Sequence, residues 1–149
     1  MTDELLSTNI FGASIEFGVG CVENLPHHIR NFEISKPLIV TDRGIIEAGI
    51  LDKVVQYLDV SGIRYSVFDG VQPNPIDENV MKGLDVYRSE GCDAILGVGG
   101  GSPIDTAKAI RIVATHPGHI SRYYSEKITG DMPVLVAVPT TSGTGTEVS

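Results

Sequence analysis

The residues best suited to chemistry in this chain are three glycines and a serine at positions 99–102, directly after the apolar run 94–98. Glycines carry no β-carbon, so a ligand can approach the peptide groups of such a turn closely. The free amides and positive dipole end of a helix that begins there favour an anion such as a diphosphate. We therefore predict a phosphate-binding turn at Gly100, Gly101 and Ser102, with a purely structural glycine turn as the alternative.

The residues after this turn predict where its helix begins. Ser102 is a suitable N-cap, and Pro103 suits the first helical position. Asp105 stands three residues after Ser102, as in an S-x-x-D capping box. These signals predict a helix over residues 103–115.

The rest of the chain alternates predicted strands with predicted helices. Short apolar runs typical of buried strands occur at residues 37–41, 64–68, 94–98 and 132–138. Helical spacing of apolar residues occurs at residues 44–61, 77–90 and 103–115. Because parallel strands need long crossovers, this alternation predicts an α/β fold in which a parallel sheet is flanked by helices. Before it, we predict one or two short strands at 10–17 and a short helix at 22–31.

Polar residues follow each predicted strand, at the sheet edge where ligands of parallel α/β proteins bind. Asp42 follows the first strand; its carboxylate can accept hydrogen bonds from a ribose diol and repel a 2′-phosphate, which favours NAD over NADP. The alternative for Asp42 is an N-cap of the next helix.

The loops after the second and fourth strands complete this predicted edge. Asn74 lies between two prolines and could offer its amide to a ribose or nicotinamide, or form an Asx turn. Thr140, Thr141 and Thr144 could bind a phosphate or carboxamide through their hydroxyls, or belong to a solvated turn. We therefore predict that four loops converge on one dinucleotide-binding crevice.

The composition indicates one folded domain over residues 1–149. The chain is 42% hydrophobic and 20% charged, which is unlike a disordered segment. Its net charge is −8 and its basic residues are scattered, which argues against nucleic acid as a partner. No apolar run approaches the roughly 20 residues that cross a bilayer, and the N-terminus lacks a secretory pattern. We expect a cytoplasmic protein with no membrane partner.

The cysteines and histidines give no catalytic or metal-binding residue. Cys21 and Cys92 are far apart and have no neighbouring base or motif, so we interpret both as buried thiols. His27 and His28 are adjacent in a predicted helix. Adjacent helical positions point in different directions, so the two side chains cannot both face one metal ion. The remaining histidines, His116 and His119, flank a proline and a glycine with no further ligand placed nearby.

The order of these motifs differs from two common nucleotide-binding patterns. In the usual dinucleotide fingerprint the acid follows the glycines by about 20 residues, whereas Asp42 precedes them. The G-x-x-x-x-G-K-[ST] pattern is absent too. Taken together, the sequence resembles the iron-dependent (group III) alcohol dehydrogenase family over nearly its whole length. The residues that carry the resemblance are LIVTD at 38–42, DGVQPNP at 69–75, GGGSPIDTAK at 99–108 and PTTSGTGTE at 139–147.

This resemblance implies an activity and assigns particular residues to each part of the cofactor. It implies an NAD(P)-dependent oxidoreductase acting on an alcohol or aldehyde, with the diphosphate on Gly100, Gly101 and Ser102 and with Asp105 beside it. It places Asp42 at the adenosine ribose. It further implies that Asn74 and the threonines Thr140, Thr141 and Thr144 lie toward the nicotinamide.

The family's metal site is expected outside this chain. Members of the family continue into a helical domain whose aspartate and three histidines hold a divalent metal, iron or zinc. The sequence stops at Ser149 without matching those positions, so we expect a nucleotide-binding domain that is inactive alone. Exposed apolar surface could face that second domain or another subunit, which leaves a homo-oligomer open. Two alternatives to an alcohol dehydrogenase stay open. The first is a glycerol dehydrogenase or dehydroquinate synthase-like enzyme, and the second is a non-catalytic nucleotide-binding module.

Overall fold

A four-stranded parallel sheet forms the centre of the molecule. We describe residues 6–10, 13–74 and 76–142 of a computed structural model. The strands are β1 (Leu6–Ile10), β2 (Ala13–Phe17), β3 (Pro37–Val40), β4 (Ser66–Phe68), β5 (Ala94–Gly99) and β6 (Val134–Pro139). The helices are α1 (Leu25–Asn31), α2 (Arg43–Glu47), α3 (Ile50–Val60), α4 (Asp77–Ser89) and α5 (Gly101–Thr115), with 3₁₀ turns at Cys21–Asn24 and Ile120–Tyr124.

The order of the strands creates a switch point in the sheet. The four strands lie in the order β4-β3-β5-β6, and each neighbouring pair is parallel. The chain therefore goes from β3 to β4 on one side and then crosses to β5 on the other. β1 and β2 form a separate antiparallel hairpin. The predicted α/β class with a parallel sheet is confirmed.

Helices cover both faces of the sheet because its central strands are apolar throughout. All residues of β3 and β5 are buried, as expected for parallel strands packed on two sides. One face packs against α4 and α5 in a cluster that includes Leu38, Val40, Ile95, Leu84 and Ile110. The other face packs against α1 and α3 in a cluster that includes Ile39, Leu96, Val98, Ile29 and Leu58. Within the described ranges, no helix has the length and apolarity to cross a membrane.

The strand β6 lies at one edge of this sheet. It pairs with β5 along its length, from Val134 opposite Ala94 to Pro139 opposite Gly99. Residues 134–138 are half-buried, whereas every residue of β5 is buried. The edge position therefore leaves part of an apolar strand exposed in the described part of the chain.

Two predicted helices differ from the structure for local reasons. The single helix predicted over residues 44–61 is two helices, because Gly49 adopts a left-handed conformation with φ of 75° between α2 and α3. The helix predicted over residues 22–31 begins as a 3₁₀ turn and becomes α-helical at Leu25. The strands predicted over residues 10–17 are β1 and β2, and β1 begins four residues before the predicted start. The remaining boundaries differ by one or two residues.

The predicted capping box at Ser102 is wrong. Helix α5 begins at Gly101, and its N-cap is the extended Gly100, which has no side chain to bond the helix. Ser102 and Pro103 therefore lie within the first turn. Proline is tolerated there because the first amides of a helix have no intrahelical acceptor. Glycine serves as the N-cap because it costs little in that position.

Helix α5 lies close to β5 because Gly97 has no side chain. A β-carbon on Gly97 would lie 3.2 Å from the Cβ of Ala107 and 3.4 Å from the Cα of Ile104. The second of these contacts is with backbone, which cannot move away without shifting the helix. The glycine in β5 therefore sets the distance between the sheet and the helix that follows the glycine turn.

We expect Gly97→Ala to lower the free energy of unfolding by about 1–3 kcal/mol, because the added methyl group overpacks the contact between β5 and α5. Urea denaturation measures this loss. The matched control is the same substitution in an Ala107→Gly background, where the opposing methyl group is gone and the loss should be smaller. An equal loss in both backgrounds would contradict this account of the contact.

The hairpin is tied to α1 by the carboxylate of Glu16 in β2. The amide of Asn24 donates to its Oε1 at 2.5 Å, and Nε2 of His28 lies 2.5 Å from its Oε2. The hydrogen bond from Asn24, followed in size by the one from His28, lowers the pKa of Glu16 below its usual range. Partial burial acts in the opposite direction and raises this pKa. The contact therefore favours the ionised carboxylate.

Folding lowers the pKa of this carboxyl group, so the group stabilises the protein at pH values above its pKa in the unfolded chain, which is about 4.3 for glutamate. The stabilisation is lost as the pH falls through the lower pKa of the folded protein. We therefore expect Glu16→Gln to lower the urea midpoint slightly at pH 7, with the difference shrinking once the pH falls below about 4.3. Glu47→Gln, at an exposed position in α2, is the control. A difference that stays constant with pH would argue against the ionised contact.

Candidate functional site

A cavity of about 800 Å³ lies at the carboxyl edge of the sheet. Residues that follow each of the four parallel strands line it, together with residues from the first part of α4. Parallel α/β sheets bind ligands at such an edge, where the strand order reverses. Six residues predicted from the sequence line this cavity: Asp42, Gly100, Gly101, Ser102, Thr140 and Thr141.

The glycine turn and the loop after β6 form one continuous wall. Gly99 has a φ of 144°, a conformation that residues with a side chain rarely adopt. Its carbonyl accepts a hydrogen bond of 2.9 Å from the backbone N–H of Thr140. A β-carbon on Gly100 would lie 3.1 Å from Oγ1 of Thr141. The turn therefore needs glycine both for its backbone conformation and for the close approach of the next loop.

The N-terminus of α5 meets the cavity at this wall. Gly100 is its N-cap and provides no side-chain acceptor for the first amides. Gly101 and Ser102, which begin the helix, also line the cavity. Unpaired amides and the positive end of a helix dipole attract an anion, and the effect is strongest within the first turn. This is the part of the cavity best suited to hold a phosphate group.

Asp42 caps the helix α2 at the opposite side of the switch point. Its Oδ1 accepts a hydrogen bond of 2.9 Å from the backbone N–H of Ile45. The N-cap that the sequence analysis kept as an alternative is thus confirmed. A carboxylate can accept several hydrogen bonds, so the cap leaves capacity for a ligand hydroxyl. The predicted role at a ribose stays a prediction.

Three of the four charged residues that line the cavity, Arg43, Asp69 and Lys82, belong to exposed ion pairs. Nε of Arg43 lies 4.0 Å from Oδ2 of Asp69, which links the loops after β3 and β4. Nζ of Lys82 lies 2.9 Å from Oε1 of Glu78, one turn away in α4. Exposed pairs of this kind contribute little to stability. The sequence analysis did not single out Arg43, Asp69 or Lys82 as site residues.

Asn79 is a buried polar residue on the same wall that the sequence analysis missed. It is 5% exposed, and its Nδ2 donates to the carbonyl of Gly70 at 3.1 Å. Its Oδ1 has no hydrogen-bond partner among the described residues. The available signal was its position beside Val80, one turn before Gly83 and Leu84, on the buried face of α4. An asparagine on an apolar helical face needs a specific partner.

Two predicted site residues, Asn74 and Asp105, do not line this cavity, and a third falls outside the described part of the chain. Asn74 has a φ of 53°, which asparagine tolerates better than most residues. The cavity wall reaches Pro73 but does not include Asn74. Asp105 lines a smaller groove of about 290 Å³ between α4 and α5. Its Oδ1 lies 3.9 Å from Nζ of Lys108. Thr144 lies outside the described residues.

The described residues do not form a metal site. Within ranges 6–10, 13–74 and 76–142, no three His, Cys, Asp or Glu side chains are grouped so that they could hold a metal ion. His28 bonds Glu16, and Nε2 of His116 lies 2.6 Å from the carbonyl oxygen of Thr129. These histidines therefore have structural contacts.

The doubly wound sheet has its edge cavity at the switch point, which is where α/β domains of this class commonly bind ligands. Comparison with known proteins identifies the family. The sequence model of the family "Iron-containing alcohol dehydrogenase" matches residues 13–149. The chain belongs to this family, as the four sequence motifs predict.

Individual relatives agree with this family. The chain is 50% identical to the 1,3-propanediol dehydrogenase of Klebsiella pneumoniae over 136 residues, which is 89% of the chain and 35% of the relative. A crystal structure of a 1,3-propanediol oxidoreductase superposes with a TM-score of 0.82 at 40% identity, covering 98% of this chain and 37% of that protein. NADH-dependent butanol dehydrogenase A of Thermotoga maritima gives a TM-score of 0.77 at 35% identity, over 85% of this chain and 32% of that protein. The chain thus spans about a third of the length of these relatives.

The cap at Asp42 can be tested apart from any ligand. We expect Asp42→Ala to lower the free energy of unfolding by about 0.5–2 kcal/mol, because the N–H of Ile45 loses its acceptor. Asp42→Asn should stay close to the wild type, since asparagine caps helices about as well as aspartate. Chemical denaturation of the three proteins measures both values. A loss of the same size in Asp42→Asn would mean that charge, and not capping, stabilises this position.

Proposed function

We propose that this chain binds NAD as the nucleotide-binding part of a metal-dependent alcohol dehydrogenase. The observation that carries the proposal is the N-terminus of α5, which opens at Gly100 into a cavity at the switch point of the sheet. Local amides and a helix dipole can hold a diphosphate in a chain whose net charge is −8. When bound, NAD would supply the hydride acceptor for oxidation of an alcohol.

The order of the strands supports an orientation for the dinucleotide. The loops after β4 and β3 lie at one end of the edge, the glycine turn after β5 lies next, and the loop after β6 lies at the other end. In this orientation Asp42 accepts from the adenosine ribose, and Gly100, Gly101 and Ser102 hold the diphosphate. Thr140 and Thr141 then lie toward the nicotinamide. For Asn74, Asp105 and Thr144 we keep the predicted roles without an argument from cavity geometry.

Two features of the cavity fit this cofactor. Gly100 and Gly101 place no side chain over the first amides of α5, and both line the cavity, so a phosphate can approach these peptide groups. Asp42 contributes a half-buried carboxylate on the same cavity wall, whose oxygens can accept hydrogen bonds. A dinucleotide carries both the anionic centre and the hydroxyl and amino donors that these groups require.

The relatives support the substrate class. Their names include a 1,3-propanediol dehydrogenase and an NADH-dependent butanol dehydrogenase, which favours a small alcohol or aldehyde as the substrate. They also favour this branch over a glycerol dehydrogenase or a dehydroquinate synthase-like enzyme. A divalent metal, iron or zinc, would need ligands beyond the described residues. We therefore expect residues 1–149 alone to bind cofactor without oxidising an alcohol. A cytoplasmic location and a homo-oligomer stay as predictions.

Titration of the chain with NAD and NADP, followed by calorimetry, tests cofactor binding and its specificity. We expect NAD to bind more tightly, because the Asp42 carboxylate repels a 2′-phosphate. Asp42→Asn keeps a capping side chain but removes the charge, so it should narrow the gap by about tenfold, or 1.4 kcal/mol. Equal affinities of the wild type for the two cofactors would refute the role of Asp42.

The phosphate-binding turn has its own test. Gly100→Val should abolish measurable NAD binding, because the side chain fills the space beside Thr141. Thr115→Val, at an exposed position at the end of α5 outside the cavity lining, is the control and should bind NAD normally. Thermal unfolding of both variants would show that they are folded. Unchanged NAD affinity in a folded Gly100→Val variant would place the diphosphate elsewhere, and a wild type that binds no nucleotide would overturn the proposed function.

A further inference from the structure

Arg43 lies beside Asp42 at the end of the cavity formed by the loops after β3 and β4. It is the first residue of α2, so it directly follows the carboxylate that caps this helix. Both residues line the cavity. Asp42 therefore does not act alone at this end of the cavity, because a positively charged guanidinium group is its neighbour in the chain.

Asp69 connects this arginine to the neighbouring loop. The strands β3 and β4 are parallel neighbours, with Val40 opposite Phe68, and the N–H of Thr41 donates to the carbonyl of Phe68 at 2.9 Å. This register brings the residue after Phe68 next to the loop that contains Arg43. Nε of Arg43 lies 4.0 Å from Oδ2 of Asp69, which is the outer limit of an ion pair.

The exposure of this ion pair determines how strongly Asp69 holds the arginine. The side chain of Arg43 is 83% exposed and that of Asp69 is 48% exposed. Exposed pairs contribute little energy, so a stronger anion can take the guanidinium group from the carboxylate. A phosphate monoester is such an anion, because it carries up to two negative charges at pH 7 and accepts two parallel hydrogen bonds from a guanidinium group.

Lys82 is the other cation on the cavity wall in the part of the chain that the structure describes. Its Nζ lies 2.9 Å from Oε1 of Glu78, which is a closer ion pair than that of Arg43. Its ammonium group also lacks the planar geometry with which arginine binds phosphate. Arg43 is therefore better suited than Lys82 to an anion at the ribose that we assign to Asp42.

We propose that Asp69 determines cofactor specificity through Arg43. The guanidinium group of Arg43 is the group that receives a 2′-phosphate, and Asp69 competes with that phosphate for it. Asp42 sets the preference for NAD by repulsion, and Asp69 strengthens this preference by pairing with Arg43. The inference rests on the proposed NAD binding. Asp69 is a positioning residue here, since its carboxylate acts on the cofactor through Arg43.

Two nucleotides that differ only in the 2′-phosphate measure this effect. Adenosine 2′,5′-bisphosphate carries this group and AMP lacks it, so the ratio of their affinities isolates the interaction at the 2′ position. We expect Asp69→Asn to shift the ratio about twofold to fivefold toward the bisphosphate, because an exposed ion pair has a small energy. Calorimetric titration measures the ratio, and added salt should reduce the shift. The unfolding temperature should not change, because asparagine has the size of aspartate.

The substitution Arg43→Gln separates the role of the arginine from a general effect of charge. Alone, it should shift the ratio away from the bisphosphate. In this background Asp69→Asn should shift the ratio much less than in the wild type, because Asp69 has no guanidinium group to hold. Glu47→Gln removes the same charge from an exposed position of α2 outside the cavity lining, so it is the control and should leave the ratio unchanged.

Three results would overturn the proposal while the wild type binds both nucleotides. In the first, Asp69→Asn leaves the ratio unchanged. In the second, Asp69→Asn shifts the ratio equally with and without Arg43, which would mean that Asp69 acts on the phosphate directly. In the third, Lys82→Gln removes the shift and Arg43→Gln does not, which would assign the phosphate to Lys82. A wild type that binds neither NAD nor AMP removes the proposed function as well, so the two failures can be told apart.

Discussion

The close packing of α5 against β5 determines where the glycine turn can lie. Gly97 lets the helix approach the strand, and the buried residues Ile104 and Ala107 fill the contact on the helix side. Since β5 lies between β3 and β6, this one distance sets the height of the α5 N-terminus above the whole edge of the sheet. The N-terminus of α5 and Asp42 therefore line the same cavity because the sheet is packed in this way.

Much of this architecture is predictable from the sequence because it depends on local pattern. Short apolar runs became β3 and β5, and helical spacing of apolar residues became α3, α4 and α5. The apolar pattern did not predict the exact residues at which some helices begin and end. Ser102 has the chemistry of an N-cap, yet Gly100 takes that position because the turn is already extended there. Gly49 ends a helix through its backbone conformation, which the apolar spacing around it conceals.

The residues of the candidate site differ in the same way, since some follow from local pattern and others depend on long-range contacts. Asp42, the glycine turn and Thr140 and Thr141 were predictable, because they follow strands and the carboxyl ends of parallel strands share one edge. Asn79 was not, because its importance comes from a long-range contact with Gly70 and from burial that no short motif encodes. Asp105 shows the opposite case. It belongs to a motif with the turn, but its position on the helix directs it to the groove between α4 and α5.

The exposed edge at β6 has a consequence for handling the protein. Among the described residues, β6 pairs on one side only, and a strand of this kind is a template for pairing with another chain. Its half-exposed valines add a hydrophobic surface to that edge. The net charge of −8 opposes such association through mutual repulsion between copies. Salt screens that repulsion over a Debye length of about 8 Å at physiological ionic strength. The colloidal behaviour of the chain should therefore depend on ionic strength, with dilute buffers keeping it dispersed and concentrated salt promoting aggregation through β6.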